Sequence, residues 1–139
     1  MRKFLIMSHG DMSSGIKSTL NMLLGNRDDV AAKSAYISDN ELSIESEIQN
    51  ILSKFNDNDE LIIFTDLFGG SVNNEAMKFI KDSRVKIIAG MNIPLIIEVL
   101  SNSDSSNDIN DVIRDAVNLA RESIIFCNDL DLNIDNDDF

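Results

Sequence analysis

Only one cysteine, one histidine and 12 basic side chains occur in the 139 residues, and each scarcity removes a class of protein. Cys127 has no second thiol, so it can neither close an intramolecular disulfide nor seed a thiolate metal site; it reads as a half-buried small apolar residue. His9 and scattered Asp residues lack the clustered ligands of a zinc site, so no metal is expected, and no cofactor. Against the 12 Lys plus Arg stand 24 Asp plus Glu, a formal net charge of −12. Nucleic acid demands a basic patch and is excluded as a partner, which leaves proteins or small molecules. No apolar run approaches the roughly 20 residues of a spanning helix, and the N-terminus enters a strand-like segment without a cleavable signal. A cytoplasmic protein is expected. There is no internal repeat, no heptad seam and no Gly-x-Gly-x-x-Gly after the first strand, which argues against a Rossmann cofactor site.

What remains is globular composition, 43% hydrophobic and 26% charged, at a length that suits one domain with one core. We assign residues 1–128 to that domain and 129–139 to an acidic flexible tail, since the last twelve residues carry five Asp and no base. The first 35 residues carry five bases and three acids, so the segment around His9 is the less repulsive place for a phosphate.

Apolar spacing sets out the elements. Lys3–Ser8 reads as a strand buried on both faces, with His9 at its end. Ile16, Leu20, Leu23 and Leu24 have helical spacing and stop at Gly25-Asn26. Val30–Ile37 is a second strand candidate. Leu42, Ile44, Ile48, Ile51, Leu52 and Phe55 predict a helix capped by Ser38 with Glu41 as its capping-box partner. Leu61–Thr65 is a buried strand, followed by the loop Asp66-Leu-Phe-Gly-Gly70 and a helix from Val72 to Lys81. Val85–Ala89 is a fourth strand; Pro94 fits the first turn of the next helix. Ser101–Asn107 reads as a polar linker, Ile109–Arg121 as a last helix, and Ser123–Cys127 as a candidate fifth strand. This alternation predicts an α/β domain, a three-layer α/β/α sandwich over a mostly parallel sheet, for which we take the order 2-1-3-4.

In such a sheet the ligand lies beyond the carboxyl ends of the strands, where the strand order reverses. With order 2-1-3-4 the reversal falls between strands one and three, so His9 and Asp66 flank one crevice. An unperturbed imidazole titrates near 6.5 and offers a neutral nucleophile at physiological pH. A carboxylate on one ring nitrogen holds the tautomer and stabilises the charge that develops as the other nitrogen bonds phosphorus. Gly69-Gly70 permits positive φ and close backbone approach, the following helix presents free N–H groups, and Ser71 adds a hydroxyl donor. Taken singly, each has an ordinary reading: a solvated histidine, a helix-capping aspartate or serine, a glycine turn. Their convergence points to phosphoryl chemistry.

His9-Gly10 after an apolar strand, Asp66-Leu-Phe-Gly-Gly-Ser71 and Gly90-Met-Asn-Ile-Pro-Leu95 together resemble the enzyme IIA domain of the mannose family of the bacterial phosphoenolpyruvate-dependent sugar phosphotransferase system. The resemblance runs from Lys3 to about Phe126. It implies a phosphotransferase in which His9 takes a phosphoryl group from the histidine-containing phosphocarrier protein and gives it to enzyme IIB, with the membrane permease involved only indirectly. It implies that Asp66 orients the His9 ring, that Gly70, Ser71 and nearby amides hold the phosphate, and that the protein is a homodimer, in some relatives through an exchanged C-terminal strand. Two positions depart from the family pattern: Val72 stands where a proline is usual, and Ser13 or Ser14 where an alanine is. Two other readings remain open at this point, the phosphocarrier subunit of a dihydroxyacetone kinase and a regulatory module phosphorylated on His9. The sugar is not legible, because specificity lies in other subunits.

Overall fold

The computed structural model describes residues 1–36, 43–104 and 106–131. Four strands, β1 (Arg2–His9), β2 (Val30–Ala35), β3 (Glu60–Thr65) and β4 (Val85–Ala89), form one parallel sheet of order β2-β1-β3-β4. Between and after them run α1 (Met12–Leu24), α2 (Ile44–Leu52), α3 (Ser71–Met77), α4 (Ile93–Ser101) and α5 (Ile109–Glu122).

The apolar runs of β1 and β3 are continuous because both strands are covered on both sides. Phe4, Ile6, Ile62 and Phe64 point into a core completed by Ile16 and Leu20 of α1, Ile96 and Val99 of α4, and Ala116 of α5. Leu5, Met7, Leu61 and Ile63, the alternate residues, meet Ile48 of α2 and Val72 and Ala76 of α3. The result is the expected α/β/α sandwich. Each fully buried side chain such as Phe64 or Ile62 contributes about 1.5–3 kcal/mol relative to exposure. Val72, where the family that the sequence resembles usually has proline, is wholly buried in the second core.

Several boundaries differ from the sequence reading. The expected cap Ser38 and its partner Glu41 lie outside the described residues; α2 begins at Ile44, capped by Ser43, whose hydroxyl accepts the Ser46 N–H at 3.1 Å. Helix α3 ends at Met77, not Lys81, because the chain tightens into i→i+3 bonds, Phe79 N–H to Ala76 O and Ile80 N–H to Met77 O, on its way to β4. The 101–107 linker is tied down: Arg2 donates to the backbone carbonyls of Ser103 and Asp104 at 3.2 and 2.6 Å.

Ser123–Cys127 forms no strand in this single chain. Ser123 caps α5, and Cys127–Asp129 is a 3₁₀ turn. Ile124, Ile125 and Phe126 are 78%, 55% and 67% exposed, since they pair with no sheet edge in their own chain. Cys127, on that exposed segment, is exposed and not half-buried. Most of the expected acidic tail, residues 132–139, lies outside the described residues.

Candidate active site

The sheet's register brings four strand ends to one edge. Met7 pairs with Thr65 and His9 with Ala35, so Asp66, one residue past β3, arrives beside His9, and Tyr36, one residue past β2, arrives on its other side. The crevice lies at the reversal of strand order between β1 and β3, as expected.

The Asp66 carboxylate grips His9 twice. Its Oδ2 accepts the His9 backbone N–H at 2.7 Å and lies 2.7 Å from ring Nδ1; Oδ1 accepts the Leu67 N–H at 2.8 Å. Burial works against the charge on Asp66, but the hydrogen bonds from the His9 N–H, the His9 ring and the Leu67 N–H outweigh it and hold the carboxyl below the usual carboxylate range. Because an ionised carboxylate only accepts, Nδ1 carries the proton in the neutral ring, and Nε2 presents its lone pair. Nε2 lies 3.0 Å from the Ser71 hydroxyl, and the His9 side chain is 45% exposed while Asp66 is 12% exposed.

Glycine has two separate uses in the 66–70 loop. Gly69 takes φ +79, which a side chain would strain. Gly70 is N-cap of α3 with extended backbone, and a Cβ there would lie 3.2 Å from the Leu67 carbonyl and 3.5 Å from His9 Cε1. The ring therefore sits directly against the Gly70 backbone. Helix α3 carries no side-chain cap at Gly70, and at seven residues it offers individual amides more than a long dipole.

The supporting contacts were not read from the sequence. Asn73, 1% exposed, donates to Thr65 Oγ1 at 2.9 Å and accepts the Gly69 N–H at 3.2 Å, which pins the loop to the end of β3. The Gly90-Met-Asn motif braces it from below: Gly90 N–H donates to Asp66 O and Met91 N–H to Thr65 O. On the other side Ser8 Oγ accepts the Ser13 N–H at 2.7 Å, and the Ser13 hydroxyl finds Ser34 at 2.9 Å.

Tyr36 was also missed. Its O–H donates to Ser71 Oγ at 2.8 Å, its ring centroid is 5.3 Å from that of His9 at 38°, and its φ is +66. The signal was available: the strand-end rule that selected His9 and Asp66 applies equally to the residue after β2. The apolar continuation to Ile37 hid where β2 stops. Among the described residues no group of three or more His, Cys, Asp or Glu side chains could hold a metal ion, and no helix is long and apolar enough to cross a membrane.

The family model for "PTS system fructose IIA component" matches residues 3–117. The fructose-specific EIIA component of Bacillus subtilis (strain 168) is 28% identical over 102 residues, 73% of this chain and 70% of that protein. The mannose-specific EIIAB component of Escherichia coli (strain K12) is 26% identical over 121 residues, which cover 86% of this chain but 38% of that longer protein. Among solved structures, a candidate phosphoenolpyruvate-dependent sugar phosphotransferase system permease from Klebsiella pneumoniae is 33% identical, with a TM-score of 0.83 and 92% of each chain covered. The IIA protein associated with the fucose utilization operon of Streptococcus pneumoniae is 34% identical, with a TM-score of 0.69 and coverage of 85% of this chain and 90% of that one. A family match across most of the chain, on a fold that places the family's motifs around one crevice, identifies the chain as a member of the fructose and mannose IIA family, a phosphotransferase component of the sugar phosphotransferase system.

Proposed function

We propose that His9 Nε2 is the phosphoryl acceptor, that it is loaded by the histidine-containing phosphocarrier protein in the cytoplasm, and that it unloads onto a histidine of enzyme IIB. The observation that carries this reading is the Asp66–His9–Ser71 line, 2.7 Å on one ring nitrogen and 3.0 Å on the other. In the transfer the Nε2 lone pair forms the new N–P bond as the donor's N–P bond breaks and its electron pair returns to the donor imidazole. The ring gains positive charge, which the Asp66 carboxylate opposes across the Nδ1–H hydrogen bond. Gly70 leaves room at Cε1, and Ser71 with the first amides of α3 offers donors to the phosphoryl oxygens.

A protein donor fits the surroundings better than a small one. Met12, three residues after His9, and Leu67 and Phe68, in the loop after Asp66, are exposed, Phe68 by 77%, and offer apolar surface to a docking protein. We further propose a homodimer. The apolar run at Ile124–Phe126 is exposed, and a cavity of about 220 Å³ beside β4, lined by Ile88, Leu95, Val117 and Ile124, gives a partner's strand an edge and a floor.

Incubation with phosphoenolpyruvate and the two general phosphotransfer proteins should put an acid-labile, alkali-stable phosphate on the chain, and His9→Ala should abolish it. Equal labelling of the two proteins would sink the reading.

A further inference from the structure

We propose that Tyr36 is a positioning residue for the phosphoryl transfer: its phenolic O–H aims the Ser71 hydroxyl at His9 Nε2. The proposal rests on His9 being the phosphoryl acceptor. Three independent features meet at this side chain. Its O–H donates to Ser71 Oγ at 2.8 Å, its ring leans on the His9 ring at 5.3 Å between centroids, and its backbone sits at φ +66, a conformation that a bulky side chain adopts only when its surroundings impose it. The preceding residue is held firmly: Ala35 pairs with His9 in the sheet, and its carbonyl accepts the Gly10 N–H at 3.0 Å. The left-handed turn at Tyr36 thus begins from a fixed point and swings the phenol back over the end of β1.

The proton inventory gives the contact a direction. Nδ1–H is committed to Asp66, so Nε2 of the neutral ring can only accept. Ser71 has one proton, and it reaches Nε2 only if its oxygen takes its other hydrogen bond as an acceptor. Tyr36 supplies that bond. The chain Tyr36→Ser71→Nε2 and Nδ1–H→Asp66 then selects the ring tautomer from both sides and leaves the lone pair on the exposed nitrogen. On transfer the N–P bond forms at Nε2 as the donor's N–P bond breaks and its electron pair returns to the donor nitrogen, no proton leaves either hydroxyl, and the Ser71 O–H turns from the nitrogen to a phosphoryl oxygen while Tyr36 remains its donor.

The test is a double-mutant cycle on the rate of His9 labelling from the phosphorylated donor protein. Tyr36→Phe keeps the ring and removes the hydroxyl; it should slow labelling about threefold to tenfold, the range expected for one lost hydrogen bond. In a Ser71→Ala background the same change should have no further effect, because the phenol acts through Ser71. A second readout needs no transfer: ¹⁵N shifts of the His9 ring should reveal more of the Nε2–H tautomer in Tyr36→Phe than in wild type, at unchanged thermal midpoint. Labelled wild type with an unaltered Tyr36→Phe rate, or full independent effects of the two substitutions, would overturn the role of Tyr36 alone. Wild type that takes no label at His9 would overturn the acceptor reading, and this proposal with it.

Discussion

Asp66 is the residue on which charge and geometry bear most directly. Its Oδ2 meets both the backbone and the ring of His9, so removing the negative charge should slow transfer even where shape is kept. For Asp66→Asn we expect transfer at least about tenfold slower, roughly 1.4 kcal/mol of barrier, in a quench-flow assay with the fold intact. The same contacts couple Asp66 to stability. Burial disfavours its charge, the hydrogen bonds from His9 and Leu67 favour it more strongly, and the folded carboxyl stays ionised to lower pH than in the unfolded chain. That contribution is present above the ordinary carboxylate pKa of about 3.9 and disappears as pH falls through the lowered folded value. Urea midpoints of wild type and Asp66→Asn should therefore differ at pH 7 and converge in acid. At this scale His9 and Asp66 were legible because each stands at or just after a strand end, and Gly70 and Ser71 because a glycine pair precedes the start of α3. Tyr36 was not, since the strand pattern runs on to Ile37 and hides that β2 stops at Ala35, where the backbone turns left-handed at the next residue.

Among the elements, the 66–70 loop and α3 behave as one unit through Asn73. Its side chain is buried and holds Thr65 Oγ1 and the Gly69 N–H at once. Asn73→Ala would leave both without that partner, at a cost of about 1–3 kcal/mol, and would loosen the loop that carries Asp66 and Gly70. We expect a lower urea midpoint together with slower labelling of His9, a pairing that a purely local surface change would not produce. Helix caps explain where the reading of element ends failed. Ser43 and Asn92 satisfy the first turns of α2 and α4 with their side chains, accepting from Ser46 and Leu95. Ser38, Asn40 and Ser43 all precede α2 in the sequence, and the choice among them depends on where the helix must lie against the sheet, whereas Asn92 alone stands just before α4. Pro94 marks the first turn of α4; no proline marks α2.

For the whole molecule, the exposed C-terminal apolar run carries the prediction about assembly. If Ile124–Phe126 exchanges onto a partner's β4 edge, light scattering at micromolar concentration should give a dimer for the full chain, and truncation after Glu122 should shift it to monomer. A monomeric full chain, or a truncated chain still fully dimeric, would remove the exchanged strand and leave the His9 chemistry standing. Ser123–Cys127 also shows where local pattern stops being informative, because an apolar strand-like run is here an exposed segment that ends in a 3₁₀ turn. What the sequence by itself determined is the order of strands and helices and the double burial of β1 and β3, since apolar spacing is a local property of the chain. That His9 and Asp66 share a crevice followed from the sequence only once strand order 2-1-3-4 was taken, and the pairing of β1 with β3 in the folded sheet supplies that order. Only the tertiary structure decided that Asn73 locks the loop and that Tyr36 reaches Ser71. Both depend on distances between segments that are far apart in the chain or turned by the backbone, and those are set by how the layers pack, not by any residue's own preference.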